Sequence, residues 1–158
     1  MSFVNLPRAI RESVFFISCS RISSALTNTL TGLDQFGEAT GGDKKVNVFG
    51  LHSVRLDLQA FQKFAEGAAV PQLGECFSPL AQLLKLLLSH DVEQFMEPAI
   101  RETTYAKVSP HTLIAILEKY SELGSFGMGR RRAVQAGLPV VKRKTVDGLI
   151  KRVAAMDG

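Results

Sequence analysis

A chain of 158 residues, 46 % apolar and 22 % charged, has the balance of a single globular domain large enough to bury a core. No apolar run approaches the ~18–20 residues of a membrane span, and Arg8, Arg11, Glu12 and Arg21 break up the run around Val14–Ile17, so a signal-peptide core is not expected. The net charge of +4 is uneven: from Gly124 onward eight cations face two acids, giving +6 there and −2 for the remainder.

Leu6-Pro7 predicts a helix beginning near residue 7. Its main apolar stripe is Phe15, Cys19, Ile22, Leu26, Leu30 and Leu33, with Ile10, Val14 and Ile17 as a second stripe beside it. Two stripes predict a broad apolar face, as in a helix sandwiched between neighbours. Cys19 falls in this seam and reads as a core thiol. Gly37 to Lys45 is turn-forming, with Gly41-Gly42 as the breaker. A second helix is predicted over roughly Val46 to Glu66, where Leu51, Val54, Leu58, Phe61 and Ala65 step by three and four.

After a loop at GAAVPQLGE, Ser78-Pro79 opens LAQLLKLLLSH, and further on Ser109-Pro110 opens HTLIAILEKY. In each pair a hydroxyl can cap the helix while proline takes its first position. Leu80, Leu83, Leu84, Leu87 and Leu88 make the first of these apolar nearly all round, so it must be buried on most sides. Between them lies DVEQFMEPAIRETTYAKV, a polar connector in which Asp91 can cap a short helix ending before Pro98. The second proline-started helix offers Leu113, Ile116, Leu117 and Tyr120. Residues 124–143 hold glycines, a proline and a run of cations and read as a basic, solvated, flexible loop. A last helix over about 144–155 presents Val146, Leu149, Ile150 and Val153 on one side. Six helices without sustained strand alternation predict an all-α fold, with a helical core over about residues 7–122.

The residues offer little chemistry. His52, His90 and His111 are scattered, and none has a second ligand at helical spacing, so no metal centre is expected. Cys19 and Cys76 lack CxxC spacing and fit a reducing cytosolic compartment, with one disulfide left open as an alternative. No phosphate loop or nucleophile elbow is present. Gly124 to Gly129 superficially resembles a nucleotide turn, but an apolar helix precedes it and a triple arginine follows, so it reads as linker. Glu93, Glu97, Glu102, Glu118 and Glu122 are explained by solvated helix faces. Catalysis and a cofactor are therefore not expected. The one feature suited to a role is the basic set Arg130, Arg131, Arg132, Lys142, Arg143, Lys144, Lys151 and Arg152, candidate contacts for an anionic partner. Nucleic acid is not the expected partner, since Phe126 is the lone aromatic available there for stacking.

The order of these signals resembles a known family. LLKLLLSHDVEQFMEPAIRETTYAKVSPHTLIAILEKY, then GSFG, then KRKTVDGLIKRV is similar to the C-terminal end of the exocyst subunit Sec-fifteen, in its plant-type form. Phe95, Pro98, Ile100, Arg101 and Glu102 match an F-x-x-P-x-I-R-E connector, and Tyr105 and Lys107 a Tyr-x-Lys. Leu149 to Val153 matches the closing helix, and Asp57 sits between apolar residues as in the helix upstream. The segment MGRRRAVQAGLPVV departs from the family pattern. Members are several times longer, so the chain would correspond to the last part of one.

The resemblance implies an antiparallel helical bundle at the end of a rod, in a complex that tethers secretory vesicles to the plasma membrane before fusion. It implies other exocyst subunits and a GTP-bound Rab GTPase as partners. The expected location is cytoplasmic, peripheral to secretory vesicles and to sites of exocytosis. From the residues alone, a peripheral membrane or nucleic-acid adaptor acting through the basic tail is the alternative.

Overall fold

The computed structural model describes residues 6–32, 45–68, 70, 73–122 and 128–156, and among these the chain is an all-α helical bundle. Seven helices follow in order: α1 Arg8–Thr31, α2 Val48–Gly67, α3 Ser78–Leu87, α4 Pro98–Thr103, α5 Pro110–Lys119, α6 Met128–Gln135 and α7 Arg143–Met156. Two 3₁₀ turns, Leu73–Phe77 and Val92–Met96, lead into α3 and α4. Leu33, residues 37–44 of the glycine-rich turn and Gly124 to Gly127 lie outside the described residues.

The leucines of α3 form the middle of the core. Leu80, Leu83, Leu84, Leu86, Leu87 and the following Leu88 are all buried, and Lys85 takes the exposed side. Each such side chain contributes about 1.5–3 kcal/mol on leaving water. From α5, Leu113, Ile116 and Leu117 join this core, and α7 lays Val146, Leu149 and Val153 against α5. The α2 stripe behaves as its spacing predicts: Leu51, Leu58 and Ala65 are buried while Val54 and Phe61 pack at the margin. Phe61 stacks on Phe77 at 6.0 Å between centroids, tying α2 to the first 3₁₀ turn.

The two capping signals resolve differently. Ser109 is the N-cap of α5 in extended conformation, but its side chain makes no capping hydrogen bond. Ser78 is no cap at all, because the Leu73–Phe77 turn runs straight into α3 and puts Ser78 inside the helix with Phe77 as the flanking residue. A side-chain cap does occur at α2, where Asn47 Oδ1 accepts from the Gly50 N–H at 3.0 Å. Asp91 caps the second 3₁₀ turn by accepting from the Glu93 N–H at 3.1 Å.

Three expectations are corrected. The second stripe of α1 does not pack: Ile10 and Ile17 are half exposed, and the buried line follows Cys19, Ser23 and Leu30. Among the described residues α1 is therefore covered on one side only, by the first 3₁₀ turn and α5. The polar connector is structured, since Pro98 both ends the turn before it and starts α4. Phe95 and Tyr105 from this stretch are fully buried, with ring centroids 6.4 Å apart. The segment read as a basic loop contains α6. Gly137 at φ 71° ends this helix: its N–H donates to Val134 O at 3.1 Å and the Leu138 N–H to Ala133 O at 2.8 Å. That double bond is the Schellman pattern, with its apolar partners Ala133 and Leu138 both buried.

One parallel β-bridge, Val46 with Tyr120, is the only strand-like pairing among the described residues. Val46 N donates to Lys119 O at 2.8 Å, and Ser121 N donates to Val46 O at 2.6 Å.

Candidate functional site

The eight cations singled out in the sequence do not form one patch with one role. Arg143 is structural. Its Nη1 donates to the carbonyls of Tyr120 at 2.8 Å and Leu117 at 3.2 Å, and its Nε donates to Asp147 Oδ1 at 2.8 Å. At the end of α5 the Leu117 carbonyl also accepts from the Tyr120 N–H at 3.1 Å, whereas the Tyr120 carbonyl has the guanidinium as its donor. In return the Arg143 N–H, at the start of α7, donates to Glu122 Oε2 at 2.8 Å. The C-terminal end of α5 and the N-terminal end of α7 thus cap one another.

Arg152 forms an ion pair with Glu93 at 2.8 Å, both side chains about half exposed, and so links α7 to the second 3₁₀ turn. Nearby, Arg101 Nη1 reaches the Met156 sulfur at 3.7 Å. Arg130 is half-buried on α6. Arg131, Arg132, Lys142, Lys144 and Lys151 are exposed and take part in no ion pair among the described residues. At 100° per residue, Met128, Arg131, Arg132, Val134 and Gln135 share the outward arc of α6, opposite the fully buried Ala133. Met128 is 71 % and Val134 63 % exposed, so two aliphatic side chains flank the free guanidinium groups.

A second exposed surface belongs to the start of the bundle. Ile10, Phe16 and Ile17 on α1 and Leu56 and Phe64 on α2 are all about half exposed. The Phe15 and Phe64 rings meet edge to face at 6.0 Å, joining the two helices along this surface. Phe16 and Ile17, with Ser20, Arg21 and Ala25, line an open hollow of about 480 Å³.

Titratable groups add packing constraints. Burial pushes the Cys19 thiol up, with proximity to Cys76 adding to it, which disfavours the thiolate. Both cysteines are free; Cys76 Sγ accepts from Ser20 Oγ at 3.4 Å. Burial also raises the phenols of Tyr105 and Tyr120, opposed in the latter by a hydrogen bond from the Val141 backbone. His52 meets Arg55 at 2.8 Å, and His90 and His111 are exposed. Among the described residues no three of His, Cys, Asp and Glu converge as a metal site would require. No helix there is long and apolar enough to cross a membrane.

Sequence reasoning missed Asn47 as a cap and Arg143 as a clasp. Asn before an apolar helix was a readable signal, whereas nothing local ties Arg143 to carbonyls more than twenty positions away.

Comparison with known proteins gives a consistent result. A family profile described as "Exocyst complex subunit Sec15 C-terminal" matches residues 1–119, three quarters of the chain. Exocyst complex component SEC15B of Arabidopsis thaliana is 25 % identical over 160 residues, covering 94 % of this chain and 19 % of that protein. Exocyst complex component 6 of Caenorhabditis elegans is 27 % identical over 135 residues, covering 82 % of this chain and 16 % of that protein. The chain spans less than a fifth of the length of these curated relatives. No solved structure matches. The family profile ends at residue 119, so the exposed basic arc of α6 falls outside it.

Proposed function

The chain belongs to the exocyst Sec-fifteen C-terminal family, and from that premise we propose that it is a non-enzymatic helical module of a vesicle tether. It works through protein–protein contacts with other exocyst subunits and with a GTP-bound Rab GTPase. It is a cytoplasmic element, peripheral to secretory vesicles and to the plasma membrane where they fuse. The whole chain would act as one C-terminal helical domain.

The observation that carries this reading is the family match over residues 1–119. The same span exposes Ile10, Phe16, Ile17, Leu56 and Phe64 at the start of the bundle. Large apolar side chains left in water on adjacent helices mark a surface suited to another protein. The connector residues Phe95 and Tyr105 are fully buried against one another, and the turn that carries Phe95 contacts both α3 and α4.

The test is a pulldown of the purified chain with GTP-locked and GDP-locked Rab proteins, alongside coprecipitation with the remaining exocyst subunits. Binding to at least one Rab in the GTP form, or retention by an exocyst neighbour, is the expected result. Absence of both would sink the proposal.

A further inference from the structure

We propose that α6 is a lipid-contacting element whose outward arc seats on an anionic phospholipid surface, Arg131 and Arg132 meeting headgroups while Met128 and Val134 enter the interfacial layer. Three observations support it. The exposed arc carries two guanidinium groups outside any ion pair among the described residues, and the stretch from Met128 to Lys142 contains no acidic residue. The aliphatic side chains on that arc are the two most exposed large apolar residues of the described chain. The helix is also fixed to the core, because Ala133 and Leu138 are buried beneath it and Gly137 closes its end.

A basic helix with apolar side chains on its solvent face lies in the plane of a membrane interface, gaining from both apolar burial and attraction to anionic lipid. Nucleic acid is a poorer fit, because the arc has no aromatic residue on which a base could stack. An acidic protein face would use the arginines but would gain little from Met128, which lies between them on the arc, or from Val134 at its edge. The remaining cations do not enter the proposal: Arg143 and Arg152 have structural partners, and Arg130 is half-buried.

The experiment is flotation of the whole chain with phosphatidylcholine vesicles with and without phosphatidylserine. Flotation is expected only with phosphatidylserine, and it should weaken as salt is raised. Each arginine removed should lower the partition about fivefold, so Arg131→Gln with Arg132→Gln loses roughly 25-fold. Met128→Gln with Val134→Gln, which keeps every charge, should lower it severalfold. Thermal melts confirm that these surface variants stay folded. No flotation with phosphatidylserine would overturn the proposal, as would flotation indifferent to either double substitution or tighter binding to duplex DNA than to the vesicles. The Rab pulldown uses no lipid, so the two proposals fail separately.

Discussion

Replacing Arg143 by alanine takes one donor group away from three acceptors: the carbonyls of Leu117 and Tyr120 and the carboxylate of Asp147. The two carbonyl bonds matter most: Tyr120 O has no other donor among the described residues, while Leu117 O also accepts from the Tyr120 N–H at 3.1 Å. A hydrogen bond involving a charged group contributes about 1.5–3 kcal/mol when well buried. The Arg143 side chain is 38 % exposed and Asp147 51 %, so water can replace part of the carbonyl bonding and most of the ion pair. Discounting the carbonyl bonds by about half and setting the pair near zero leaves a loss of about 2 kcal/mol. For a chain of this length that lowers Tm by about 4–8 °C. Urea denaturation of wild type, Arg143→Ala, Arg143→Lys and Asp147→Ala provides the assay, with an unchanged slope expected for each. Lysine keeps the charge but not the planar fork and should recover less than half of the loss, while Asp147→Ala should cost under about 0.5 kcal/mol. The reasoning is refuted if Arg143→Ala lies within about 0.5 kcal/mol of wild type, or if Asp147→Ala costs as much.

Gly137→Ala should cost about 1 kcal/mol, the strain of a left-handed residue bearing a Cβ, because open space surrounds it. Gly32→Ala should cost more, since it adds the same strain (φ 65°) and the end of the Lys119 side chain lies where the Cβ would stand; paired thermal melts compare the two. Phe95→Ala, at a fully buried site against Tyr105, should cost about 3–5 kcal/mol in urea denaturation. At high pH the signs work against folding: Cys19, Tyr105 and Tyr120 all have raised pKa values, led by burial, so above their ordinary range the native state binds more protons than the unfolded chain. Tm measured from about pH 8 to about pH 11 should therefore hold at first and then fall, and Tyr120→Phe should flatten that fall.

Periodicity reached most of the helices because each buries a stripe with a fixed partner. The leucines of α3 and the Val146, Leu149 and Val153 line of α7 are buried as their spacing predicts. In α1 the same logic failed at Ile10 and Ile17. Apolar spacing says which residues could be buried together but not whether a neighbour covers them, and among the described residues none does. Helix α6 was hidden by composition: glycines and arginines suggested a loop, yet Gly137 with Pro139 just beyond is a helix-ending pattern that was there to be read. The basic set was legible as charge but not as geometry. Only the fold separates Arg143, committed to backbone carbonyls, from Arg131 and Arg132, which face solvent.

The bridge between Val46 and Tyr120 sets an order of opening for the molecule. Its two backbone bonds close a loop that contains α2, α3, α4 and α5, while α1 lies before it and α7 after it. Openings of α1 or α6 leave both bonds in place, whereas parting Val46 from Lys119 and Ser121 separates the ends of the segment that holds the α3 leucines, at the point where Arg143 of α7 also holds the Tyr120 carbonyl. The amide protons of Val46 and Ser121 should therefore exchange with solvent deuterium at the rate of global unfolding. Those of exposed positions in α6 should exchange through smaller, more frequent openings, while its anchored side, at Ala133 and Leu138, and the closed loop stay in place.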